Sequence, residues 1–147
     1  MVTPIHTALC AILLVLSSVL PTASQAAEAA GRVLFAIGDA KLAGGGALKK
    51  DDTISVGQKI VTGANGHVHI RFVDDAFVSV RPNSSLVVEQ YVYDPQQPAN
   101  NRVRFHLDQG VARLITGKAG QAAKDNFRLN TPVAAIGIRG TDFLVQA

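Results

Sequence analysis

Residues His67–Val80 read HVHIRFVDDAFVSV, and this stretch decides the fold class. Val68, Ile70 and Phe72 alternate with His67, His69 and Arg71, the period-two pattern that sends one face of a strand into a core and the other into water. Asp74-Asp75 sits between this run and a second one, Phe77–Val80, and reads as a tight hairpin. Further out, Val103, Phe105 and Leu107 alternate with Arg102, Arg104 and His106. Gln109-Gly110 after them reads as a second hairpin. Gly44-Gly45-Gly46, Gly63-Ala64-Asn65-Gly66, Pro82-Asn83, Pro95–Asn101 and Gly117–Asn126 punctuate the remaining runs. No window after Gly31 has convincing helical periodicity. The pattern predicts a single compact all-β domain, with strands near 31–37, 39–43, 58–62, 66–73, 76–81, 85–93, 102–108, 110–116, 126–130, 132–139 and 142–146. Antiparallel hairpins at this spacing favour a sandwich or roll. A β-solenoid is the alternative, although no fixed repeat period is visible.

The first residues read as a separate unit. Ala8–Leu20 is a short apolar run followed by Pro21 and the small residues Thr22–Ala30, the shape of a cleaved signal peptide. It falls short of the roughly 20 residues that a spanning helix needs. The expected division is a signal peptide over 1–26 and an all-β domain over 27–147, with a periplasmic or secreted location. Cys10, the only cysteine, lies inside the apolar run. The mature chain therefore has no disulfide and depends on its core alone. About 120 residues remain, near the common single-domain size, and none of the later segments reads as a transmembrane span. The net charge of +3 lies outside residues 1–26. It permits weak attraction to anionic envelope polymers but lacks the clustered basic stripe of a nucleic-acid binder.

Thr131–Phe143 reads TPVAAIGIRGTDF. Pro132 cannot donate to a ladder and is expected at the first residue of a strand. Gly137 and Gly140 are expected to supply positive φ or close backbone approach. Arg139 is expected on a short strand between them, with Phe143 as an apolar anchor. The string resembles the signature of the FecR domain, a periplasmic sensor module of iron-uptake regulators and other envelope proteins. Upstream, Gly57–Gly63 is similar to the family's "Gly-x-x-Ile-x-Thr-Gly" turn, followed by the acidic hairpin Asp74-Asp75 and the turn Asn83-Ser84. Val103–Leu114, with Gln109-Gly110-Val111-Ala112-Arg113, resembles its "Leu-x-x-Gly-x-x-Arg" hairpin. The resemblance spans Gly31–Ala147 and implies a non-enzymatic sensing or protein-interaction module with a protein partner in the envelope. The best-known relatives add an anti-sigma segment, a membrane helix and a receptor-contacting domain. None is recognisable here, so no anti-sigma role is implied. Family domains usually continue past the signature. Ending at Ala147 therefore reads as a fragment or as a last strand, Phe143-Leu144-Val145, that a partner covers.

Several residues invite chemistry. His67 and His69 share a strand face, half of a metal site, but with His106 as the one further histidine after the signal a third ligand is unassured; solvent-facing residues are expected, with no metal and no cofactor. Asp51-Asp52 and Asp74-Asp75 suggest paired carboxylates, yet adjacent turn aspartates diverge and serve local hydrogen bonds. With no nucleophile elbow, P-loop or mature cysteine, no enzyme is expected. Arg102, Arg104 and His106 share a face that suits a partner or, alternatively, an anionic glycan such as peptidoglycan. Arg139 is a further binding candidate, better read as a structural clamp. The Gly140–Thr141 bond is a minor self-cleavage candidate through attack of the hydroxyl on the glycine carbonyl. The bland reading there is a turn whose Thr141 and Asp142 side chains bond the local backbone. Thr131, Pro132, Gly137, Gly140, Thr141 and Phe143 are thus expected to be mainly structural.

Overall fold

The computed structural model describes residues 28–137 and 140–147. Its strands are β1 (Ala29–Ile37), β2 (Ala40–Leu42), β3 (Thr53–Ser55), β4 (Lys59–Thr62), β5 (His67–Phe72), β6 (Phe77–Val80), β7 (Ser85–Val92), β8 (Arg102–Gln109), β9 (Val111–Ile115), β10 (Phe127–Asn130), β11 (Ala135–Ile136) and β12 (Asp142–Gln146). They form two six-stranded sheets, β12-β9-β6-β5-β1-β3 and β11-β10-β8-β7-β4-β2. The all-β sandwich expected from the alternation is what the chain adopts. Val68, Ile70 and Phe72 point inward from the first sheet, and Val103, Phe105 and Leu107 from the second; all six are buried. Each such side chain contributes roughly 1.5–3 kcal/mol of transfer free energy. Phe72 of β5 stacks on Tyr91 of β7 with ring centroids 4.5 Å apart, and meets Phe105 of β8 edge-on at 5.3 Å. These contacts bind the sheets to each other.

The hairpin at Asp74-Asp75 forms as expected: β5 and β6 pair antiparallel from Val68↔Val80 to Arg71↔Phe77. The expected hairpin at Gln109-Gly110 does not form. β8 pairs with β7 and β10 in the second sheet, whereas β9 pairs with β6 and β12 in the first. Gly110, at φ +88°, turns the chain from one sheet to the other. A glycine at positive φ serves a corner as well as a hairpin, so the local sequence does not separate the two. One pairing also departs from the antiparallel expectation, since β10 runs parallel to β8. The long return that a parallel pair needs contains α1 (Lys118–Ala122), a five-residue helix too short to show a period.

Candidate functional site

The motifs that stand out in the sequence assemble into structural joints. In the first, three sheet-crossing turns meet. Thr62 is buried, and its hydroxyl donates to Arg81 O (2.6 Å) and accepts from Ser84 N (3.0 Å). The Ser84 hydroxyl contacts Pro82 O and Val111 O at 3.0 and 3.2 Å and accepts from Val111 N at 2.8 Å. The Thr62-Gly63, Asn83-Ser84 and Gly110-Val111 turns thereby satisfy one another's backbone groups, as burial requires.

The second joint separates two adjacent aspartates. Asp74 is 1% exposed. Its Oδ1 accepts from the Tyr91 hydroxyl and from Ala76 N (3.1 Å), and its Oδ2 accepts from Ala119 N (3.0 Å) in the first turn of α1. Burial, together with the Asp74 carboxylate, pushes the Tyr91 phenol well above its ordinary value. The cavity beside them is about 10 Å³, room for no more than one water. Asp75 faces outward to Arg71 Nη2 (2.5 Å) and Lys118 Nζ (2.7 Å). The hydrogen bonds from Lys118 and then Arg71 hold its pKa down to about 2. The two carboxylates diverge.

Asp75 gives a pH prediction. Its folded pKa lies below the unfolded value of 3.8, so its contribution is complete above 3.8 and is lost as pH falls through about 2. Thermal melts across that window should show a smaller loss in Lys118→Met than in the parent chain. Parallel pH profiles would contradict the pairing.

The third joint is the Thr131–Phe143 stretch. Thr131 N donates to Ala134 O (2.7 Å), and Ala134 N donates to the Thr131 hydroxyl (3.0 Å). Pro132 and Val133 therefore form the tip of a tight β10–β11 turn. This corrects the expectation that Pro132 opens a strand and that the strand begins at 132: among the described residues of 132–139 only Ala135–Ile136 pairs. Proline's preset φ suits position i+1 of a turn equally well. Gly137 has no positive φ, and an added Cβ would meet only Arg128 Nη1 at 3.5 Å among the described residues; around Gly140 nothing lies within 4 Å. The close approach expected at these glycines is not found there. Ile138 and Arg139 lie outside the described residues. Among the described residues Asp142 makes no hydrogen bond to its local backbone. It takes a two-point contact from Arg113 of β9, Nε to Oδ1 at 2.9 Å and Nη2 to Oδ2 at 2.5 Å. That contact raises the arginine pKa and lowers that of the aspartate. Phe143 packs edge-on against Phe127 at 6.1 Å.

Arg113 closes the motif beginning at Gln109, and Asp142 belongs to the closing signature, so two distant parts of the sequence pattern meet in one ion pair. Residues 58–147 match the family described as FecR protein. The chain belongs to the FecR family. No curated protein and no solved structure matches it. The FecR family is one of signalling and regulatory sensor modules, which directs attention to the outward faces of the sandwich.

On the second sheet of this FecR chain, Arg102, Arg104 and His106 do share the outer face of β8, as their alternation predicts. Arg128 of β10 lies opposite Arg104, an addition that sequence spacing could not supply. The face is not uniformly cationic. His106 lies between Glu89 Oε1 (3.5 Å) and Asp108 Oδ1 (3.4 Å), and Asp108 also pairs with Lys59 at 2.5 Å. Arg102 Nη1 is occupied by Ala99 O and Asn101 O at 3.0 Å each.

The first sheet has a different outer face. Its register aligns Leu144, Arg113, Ser79, His69 and Phe35 in one row and Asp142, Ile115, Phe77 and Arg71 in the next. Phe35, Phe77, Ile115 and Leu144 are exposed, Leu144 at 56%. β12 is an edge strand, pairing among the described residues with β9 alone. Sequence reading picked out the edge but not this apolar surface, because its residues come from four strands and meet only through register.

Proposed function

We propose that this FecR-family chain is a non-enzymatic sensing module that acts by protein–protein contact in the bacterial envelope, as a folded domain over residues 27–147 after removal of a signal peptide over 1–26. The observation that carries the reading is the outer face of the first sheet. Exposed Leu144 lies on β12 itself, which pairs among the described residues with β9 alone, and exposed Ile115 and Phe77 follow on β9 and β6, the next two strands of the sheet. Apolar surface gathered in one place marks interaction sites, and an open edge offers unpaired backbone groups to an incoming strand. No helix among the described residues is long and apolar enough to cross a membrane.

A second reading, an envelope glycan held on the second sheet, rests on Arg102, Arg104 and Arg128 on the outer face there. Affinity purification from envelope extract, run beside sedimentation with isolated cell wall, separates the two. The protein-contact reading predicts a discrete protein partner that Leu144→Asp releases and that Arg102→Ala/Arg104→Ala retains. Wall retention abolished by the arginine changes, with no protein partner, would replace it by the glycan reading.

A further inference from the structure

His67 and His69 do more than face solvent. Their Nε2 atoms lie 3.1 Å apart, and each is 3.0 Å from Ser79 Oγ on the neighbouring strand β6. Three donor atoms thus converge on one point above the first sheet. Two imidazole nitrogens bound at about 2.0–2.1 Å to one ion stand about 2.9 Å apart at the right angle of a tetragonal site and about 3.3 Å apart at the tetrahedral angle, so the observed spacing lies within a few tenths of an ångström of either. The convergence is imposed by the fold. Two residues along a strand share a face, Ser79 is the register partner of His69, and Phe35 packs edge-on against both rings at 5.6 and 6.4 Å.

We propose that His67 and His69 chelate one divalent transition-metal ion, copper(II) in preference to zinc(II), with the Ser79 hydroxyl and water completing the coordination. Imidazole donors without a carboxylate select nitrogen-preferring metals over magnesium or calcium, and copper(II) stands at the head of the divalent affinity order. Burial lowers both histidine pKa values, helped at His67 by His69 and at both by Arg81. Arg81 also repels a dication, which disfavours ions with weak intrinsic affinity for nitrogen. Two further guanidinium groups on this face, those of Arg113 and Arg71, are held by Asp142 and Asp75. A hollow of about 140 Å³ bounded by His69, Phe77, Ser79, Arg113 and Ile115 gives room for water ligands. No third His, Cys, Asp or Glu joins the pair among the described residues, so the site is open to an outside donor.

The test is titration of the untagged protein with copper(II), read by calorimetry and electron paramagnetic resonance. One equivalent should bind with the hyperfine pattern of two imidazole nitrogens. His69→Ala should weaken binding by about 100-fold or more, because the second arm of a chelate acts at high effective concentration. His67→Ala should do the same, and Ser79→Ala much less. Both histidines lie on the outer face, and the melting temperature of each variant establishes that the fold survives. Affinities of the parent and the two histidine variants agreeing within about threefold, or a parent spectrum with one coordinated imidazole, would overturn the site.

Discussion

Asp74→Ala should destabilise the domain by about 3–5 kcal/mol. The substitution leaves the Tyr91 hydroxyl and the amides of Ala76 and Ala119 without their acceptor, and each buried orphan costs roughly 1–3 kcal/mol before relaxation. Against a total stability of about 5–15 kcal/mol, that is a large fraction. For a domain of this size it corresponds to a fall in Tm of roughly 10–20 °C. Tyr91→Phe removes one donor and keeps the carboxylate, so its cost should be nearer 1–2 kcal/mol. Chemical denaturation of the two variants supplies the comparison. Equal and small effects would show that the buried carboxylate is not the joint between the β5–β6 hairpin and α1.

Gly110→Ala should be comparably damaging, for a different reason. At φ +88° an added Cβ would meet Ser84 Oγ at 2.2 Å and the backbone atoms Asn83 O and Ser84 Cα at 2.6 Å each. A non-glycine residue in that backbone region costs about 1–3 kcal/mol, and forcing the neighbouring turn aside adds about 1–3 kcal/mol. Gly57 isolates the two contributions: its φ is +86°, and an added Cβ there meets nothing within 4 Å. Gly57→Ala should therefore cost only the backbone share, about 1–3 kcal/mol. Urea midpoints that rank Gly57→Ala at or above Gly110→Ala would contradict the three-turn joint at Ser84.

What the sequence disclosed follows from the range of each interaction. Alternation within one strand is local, so β5, β6 and β8 were legible, as was the shared face of Arg102, Arg104 and His106. β3, three residues long at Thr53–Ser55, is too short to carry a period and went unread. Whether Gly110 closes a hairpin or crosses between sheets depends on partners far along the chain, and there the reading failed. Pro132 likewise fits a strand start and a turn, and the Thr131–Ala134 hydrogen bonds decide between them. The unequal fates of Asp74 and Asp75 depend on Tyr91, Ala119 and Lys118. The convergence of the two imidazoles depends on Ser79 from the next strand.

The family motifs therefore explain how the sandwich holds together, while the proposed docking surface emerges only from register across the first sheet. The most direct test places a photo-crosslinking amino acid at Leu144 in one chain and at Arg104 in another, followed by irradiation in intact envelopes. The account predicts a discrete protein adduct from position 144 and none of that mass from position 104. Adducts from position 104 alone, or transfer of the position-144 label to wall polymer rather than protein, would contradict it.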